Sequence, residues 1–290
     1  MPHPGWSTFS FEGIGTHWEI STPMVLAADV RDRLLDTVED YDRTWSRFRA
    51  DSAVSALATA PGSIPLPAHS AELAAAYATL YRLSGGAMTP LAGSSLERLG
   101  YDAGYSLVPS GAAAPPPRWE DVLEWTGPTL TAREPLVLDV GAAGKGQLVD
   151  LLGAVLQEAG HTDFLVDASG DMLHAGSHPV RVALEHPYNP RQAIGVVDLD
   201  NAALCASAAN RRAWGDGLHH IIDGTTGLPV RTTVATWTIA ACALEADALA
   251  TALFLVEPEQ LETAFDFSWL RVFSEGLATY SAAFEGRLFT

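Results

Sequence analysis

Apolar and polar positions recur with a helical period near the start of the chain. From Val30 onward, VRDRLLDTVEDYDRTWSRF sets Val30, Leu34, Val38, Tyr41 and Trp45 three and four apart with charges between them, which predicts an amphipathic helix with one buried stripe. A second helix is expected over Ser70 to Leu83, with Ser70 as its cap and Gly85-Gly86 closing it. Further on the period changes. Leu136 to Val140 is a β-type run, Gly141 to Gly146 a glycine-rich turn, and Lys145 to Ala159 is again helical, ended by Gly160. Phe164 to Asp167 is the next expected strand, and GVVDL, HHIIDGTTGLPV and TVATWTIAA add short strands separated by glycine turns. VPSGAAAPPPR, Val108 to Arg118, reads as a surface loop, because three consecutive prolines remove three backbone donors. Helices early and mostly short strands late predict an α+β fold with antiparallel pairing.

The 290 residues, 48% of them hydrophobic, suffice for one large domain or two lobes sharing a core. Asp and Glu outnumber Lys and Arg by 35 to 17, a formal net charge of −18. That field argues against nucleic acid or an anionic membrane as partner, and an anionic ligand must be held locally by amides, a few basic residues or a bridging cation. Cys205 and Cys242 lack metal-type spacing and fit a reducing compartment. MPHPGWSTFSFEGIG has neither a basic n-region nor a continuous apolar h-region. The most apolar stretch, Thr233 to Val256, carries Glu245 and Asp247, which make bilayer insertion expensive. The expectation is a cytoplasmic protein with no membrane insertion.

Three strings could carry chemistry. DVGAAGKG, Asp139 to Gly146, puts glycines and Lys145 between a strand-like run and a helix start, an arrangement suited to an anion such as phosphate, although it matches neither the Walker A nor the Rossmann spacing. In ALEADALATALFLV, Asp247 and Thr251 stand four apart and share one helix face, while Glu245 points elsewhere. Two readings are open for that pair: a salt bridge to an arginine, or a hard-cation site of the Mg²⁺ type. His219 and His220, adjacent on a strand, point to opposite faces, so at most one faces a cleft, where it could accept a hydroxyl proton. DASGD, Asp167 to Asp171, reads as a turn after a strand.

Taken in order, GIGTHWEI, WSRFRADSAVSAL, GGAMTPLAG, DVGAAGKGQLVD, LVDASGDM, HHIIDGTTGLPV and EADALATALF resemble the FAD:protein FMN transferase (ApbE) family along nearly the whole chain. The resemblance implies a single domain over 1–290 of two-lobed, T-fold-like α+β architecture, with FAD bound between the lobes. It implies Mg²⁺-dependent transfer of FMN from FAD to a Ser or Thr hydroxyl of an acceptor protein, releasing AMP. It assigns metal ligation to Asp247, Thr251 and a main-chain oxygen near Ala142. FAD contacts fall at Ile14, Gly15 and Thr16, at Ala87, Met88 and Thr89, at Asp139 and Lys145, and at His220 and Ile221. Catalytic roles fall to Asp247, to Lys145 as a stabiliser of phosphoryl charge, and to His220 as base or positioning group. The same residues would serve a Mg²⁺-dependent FAD pyrophosphatase, and a flavin-binding protein without catalysis is the remaining reading.

The chain departs from the family pattern at several places. Met88-Thr89 replaces a Phe-Asp pair, GAAGKG replaces GGIAKG, HIIDGTTG replaces HIIDPRTG, and Ile14 replaces a methionine. These changes leave Asp247 and Thr251 in place and bear on flavin affinity and acceptor choice. No D-G-A-[ST] string occurs in the chain, so modification of itself is not expected.

Overall fold

The computed structural model describes residues 5–289, so Met1 to Pro4, part of the stretch read for an export leader, lie outside the described residues. Helix α1, Ala28–Trp45, buries the five residues chosen by spacing. Helix α2, Ser70–Leu83, ends where Gly86, at φ 95°, donates its N–H to Tyr81 O at 2.8 Å. Ser70 does not cap it. The residue sits inside the first turn and its hydroxyl donates to Gly127 O at 3.2 Å, tying the helix to a neighbouring hairpin instead of to its own amides. Helix α3 spans Gly144–Glu158 and helix α4 spans Ala243–Ala252.

Eight strands form the main sheet: β1 Ser7–Gly13, β2 Thr16–Thr22, β3 Phe164–Asp167, β4 Asp171–Ala175, then β7 Ala203–Ala208, β8 Thr233–Ala240, β9 Ser268–Phe273 and β10 Ala278–Tyr280, in that spatial order. Strands β5 Val180–His186 and β6 Asn189–Leu199 form a separate hairpin, extended by Arg287–Leu288. Every pairing in these sheets is antiparallel, as the glycine-punctuated short strands predict.

Period-two alternation explains the layering. Phe164 and Val166 of β3, with Ala203 and Cys205 of β7, face the large core shared with the helices. Leu165, Leu204, Leu270 and Val272 face the other way, onto Val180, Val182 and Leu184 of the β5–β6 hairpin. The main sheet is thus covered on one face by helices and on the other by a hairpin.

Leu136–Val140 is not a strand. It is a connecting segment drawn through the core: Leu136, Leu138 and Val140 are buried, but the Leu136 N–H donates to Leu57 O at 2.9 Å and the Asp139 N–H to Pro90 O at 2.8 Å. Alternating burial is the same for such a segment as for a strand. The proline-rich stretch is an irregular surface loop, as expected. Thr233–Val256 resolves into β8 and α4, and no helix among the described residues is long and apolar enough to cross a membrane.

Candidate active site

A cleft of about 630 Å³ opens between α1, the 139–145 loop, β7 and the segment around His220. Every residue named above as a metal, FAD or catalytic candidate lines it, from Ile14 in the β1–β2 turn to Thr251 on α4. What each does follows from its contacts.

Asp247 is only 4% exposed, on a helix that apart from Glu245 and Thr251 is alanine and leucine. Alanines let α4 lie directly on the sheet, where the Thr236 hydroxyl of β8 donates to Ala250 O at 2.6 Å. Asp247 Oδ2 accepts the Gly146 N–H at 2.8 Å, at the start of α3, and Oδ1 has no hydrogen-bond partner among the described residues. Burial first, and the Asp171 carboxylate second, push its pKa up to about 8. Thr251, one turn further along α4, meets the Ser207 hydroxyl at 3.3 Å. Glu245 lies in the first turn of α4, near the positive end of the helix.

Of the two readings of Asp247, the arginine salt bridge is not realised among the described residues. The nearby cation is instead Lys145, whose Nζ lies 2.6 Å from Oδ2 of the fully buried Asp171 and donates to Ala168 O at 3.2 Å. Burial opposes that ammonium charge, but Asp171 and Asp247 outweigh it and hold the pKa above its ordinary value. The charge of Lys145 is therefore balanced inside the protein. Among the described residues no group of three or more His, Cys, Asp or Glu converges as a metal site.

Asp139 is also engaged from within. Its Oδ2 accepts from Arg47 Nε at 2.6 Å and its Oδ1 from the Gly141 N–H at 2.7 Å, and although burial disfavours the charge, Arg47 keeps the pKa below the usual carboxylate value. The Arg47 guanidinium carbon also lies against two aromatic rings that meet edge to face, 4.2 Å from the Phe48 centroid and 5.0 Å from that of Tyr101. The two histidines do not share a strand as expected: the strand is Leu218–His219, and His220 lies in the bend that follows it. His219 bonds Val230 O at 2.7 Å on the far side, whereas His220 faces the cleft with a buried, unpartnered Nδ1. Burial, then the charge of Arg212, pushes the His220 pKa down to about 3, so the ring is neutral at physiological pH.

Two departures from the family pattern meet in space. The Gly224 N–H donates to Ala87 O at 2.8 Å, and a Cβ there would stand 2.6 Å from Thr89 Cγ2 and 2.7 Å from Gly86 O. Thr89 and Gly224 therefore form one packed unit that a proline at 224 would break. At the cleft's other side Ile14 adopts φ 44°, a left-handed conformation unusual for a β-branched residue, in the two-residue turn between β1 and β2.

Sequence reading left Arg47 and Asp171 without roles. The signal available for both was the count of buried carboxylates: each needs a cation, and the chain has few.

The ApbE family model matches residues 14–268, and the chain belongs to the ApbE family. Among its curated relatives, the FAD:protein FMN transferase of Escherichia coli K12 is 26% identical over 301 residues, spanning 95% of this chain and 84% of the relative. The fold is that of the ApbE protein of Thermotoga maritima, with a TM-score of 0.81, 21% identity and coverage of 97% and 98% of the two chains. The flavin transferase ApbE from Vibrio cholerae superposes with a TM-score of 0.76, again at 21% identity, covering 97% and 98%.

Proposed function

We propose that this protein is a transferase that moves FMN from FAD to a Ser or Thr hydroxyl of an acceptor protein, releasing AMP, in a Mg²⁺-dependent reaction at a cleft between two lobes of one domain. The observation that carries the reading is Asp247: a nearly buried carboxylate in an apolar helix, with one oxygen unpartnered among the described residues, lining a cleft large enough for a dinucleotide. A divalent cation would relieve the cost of that charge.

The donors fit such an ion. Asp247 carboxylate, Thr251 hydroxyl and a main-chain oxygen near Ala142 are all hard oxygen ligands, and Mg²⁺ takes few protein ligands and completes its shell with water and substrate phosphate. Bound there, it supplies Lewis-acid polarisation of the pyrophosphate and neutralises charge on the departing AMP. The protein's own groups do the rest. The start of α3 turns its positive end toward the cleft at Gly144 and Lys145, favouring phosphate. Lys145 balances Asp171 and steadies the field around Asp247. Neutral His220 is a poor proton sink, so its ring, which lines the cleft, serves to position the acceptor hydroxyl. A strong base is not required where the phosphoryl transition state is loose.

The test is to incubate the protein with FAD, Mg²⁺ and an acceptor domain carrying a D-G-A-T type string, recording the acceptor's intact mass and the AMP formed. A mass gain equal to FMN, absent with EDTA and in Asp247→Ala, is the expected result. AMP without acceptor modification would instead identify a pyrophosphatase, and neither product would leave a flavin-binding protein.

A further inference from the structure

Five cationic side chains line the cleft: Arg47, Arg49, Lys145, Arg211 and Arg212. Four of them are already committed to carboxylates. Arg47 holds Asp139 at 2.6 Å, Arg49 holds Asp42 and Asp51, each at 2.9 Å, Lys145 holds Asp171 at 2.6 Å, and Arg211 holds Glu185 at 3.1 Å. Arg212 alone among the five makes no ion pair with the described residues, and its side chain is exposed at the cleft.

Its backbone, by contrast, is fixed. The Arg211 N–H closes a turn onto Ala208 O at 3.2 Å, and the His220 N–H donates to Arg212 O at 3.2 Å. Two residues on, Trp214 stacks on Tyr101 with centroids 5.5 Å apart and donates its indole N–H to Leu99 O at 2.9 Å. A free guanidinium thus stands on an anchored segment, within electrostatic reach of Asp139, His220 and Asp247. In a chain of net charge −18, an anionic ligand entering this cleft has no other uncommitted cationic side chain lining it to meet.

We infer that Arg212 is the phosphate-binding side chain of the cleft, its planar guanidinium gripping the pyrophosphate of FAD and, after transfer, the phosphate of AMP. The assignment rests on the flavin-transferase reading and adds to it the residue that supplies the charge Lys145 has spent on Asp171. A guanidinium suits the task because its fork of donors matches two phosphate oxygens at once.

The experiment is equilibrium binding of FAD and of riboflavin, which lacks phosphate, to the full-length protein with Mg²⁺ and without acceptor, followed by flavin fluorescence. Arg212→Met should weaken FAD binding by about tenfold or more and leave riboflavin unchanged, with Arg212→Lys in between. Arg211→Met removes the same charge one residue away, from a guanidinium already paired with Glu185, and should change FAD affinity less than about twofold. Circular dichroism and melting temperature establish that the variants fold.

Equal FAD affinity in Arg212→Met and wild type overturns the assignment while leaving the transferase reading standing. An equal loss in Arg211→Met would reduce the effect to general charge and also overturn it, as would loss of riboflavin binding in parallel. A wild type that binds neither flavin would remove the transferase reading itself.

Discussion

The Gly146 N–H reaches Asp247 Oδ2 at 2.8 Å, where the start of α3 presses against α4. The approach leaves no room for a side chain: a Cβ at 146 would stand 2.0 Å from Ala243 O and 2.6 Å from Asp247 Cβ. Both obstacles are backbone or backbone-linked atoms, which cannot swing aside as a flexible side chain would. Gly146→Ala should therefore push the two helices apart and cost about 3 kcal/mol, the upper end of ordinary overpacking. Urea denaturation measures it, and a wild-type midpoint in the alanine variant would contradict the contact.

Asp247 also gives stability a pH dependence. An unfolded aspartate ionises near about pH 3.9, whereas burial and Asp171 push the folded value up to about 8. Between those values the folded protein keeps a proton that the unfolded chain has released. The stabilisation is complete below the unfolded pKa and is lost progressively as pH rises through the folded one. Asp247→Asn keeps an acceptor for the Gly146 N–H and no longer titrates. Without metal, its melting temperature should gain on that of the wild type as pH rises from 5 to 8. Mg²⁺ at pH 8 should then stabilise the wild type and not the asparagine variant. A wild type that gains on Asp247→Asn over the same range would reverse the sign and sink the account.

Local periodicity made α1 and the Asp247–Thr251 pair legible, because both are set by spacings of three and four within one helix. The same logic misled at Leu136–Val140, where alternate burial comes from a segment threading the core without a ladder partner. The β1–β2 hairpin was equally hard to read, since Phe9 and Phe11 are only partly buried and its Ile14-Gly15 turn lacks the usual Asn-Gly or Asp-Gly signal. The charge pairs escaped for a different reason. Arg47 and Asp139 are 92 residues apart, and nothing local to either says which carboxylate a buried arginine will meet. The family resemblance gathered the cleft residues, but only the fold shows that Lys145 and Asp139 are already paired with the protein itself.

That pairing of Lys145 with Asp171 has a measurable cost when broken. Lys145→Met leaves a fully buried carboxylate without its cation, next to Asp247, and should destabilise the protein by about 3–5 kcal/mol. Adding Asp171→Asn to it removes the stranded charge and should recover much of the loss. A double-mutant cycle in urea separates the interaction from the two single effects. Additive losses would show that the two charges are not coupled and that Lys145 is free to serve a ligand directly.

Helix α4 depends on a cap donated by another helix. Its own N-cap residue, Cys242, makes no side-chain cap, and the Asp150 carboxylate of α3 instead accepts the Ala243 and Leu244 N–H groups, each at 2.8 Å. Those two amides are orphan donors at a helix start, so losing their partner should cost about 1–2 kcal/mol. Asp150→Ala should show that loss in urea, and Asp150→Asn, with one acceptor oxygen left, about half of it. The consequence for function is specific, because α4 carries both Asp247 and Thr251. If the protein is the Mg²⁺-dependent flavin transferase proposed above, a loosened first turn should raise the Mg²⁺ concentration needed for half-maximal turnover while leaving riboflavin affinity, which does not involve α4's carboxylate, unchanged. Loss of stability without any change in Mg²⁺ dependence would mean that the cap supports the fold but does not set the position of Asp247.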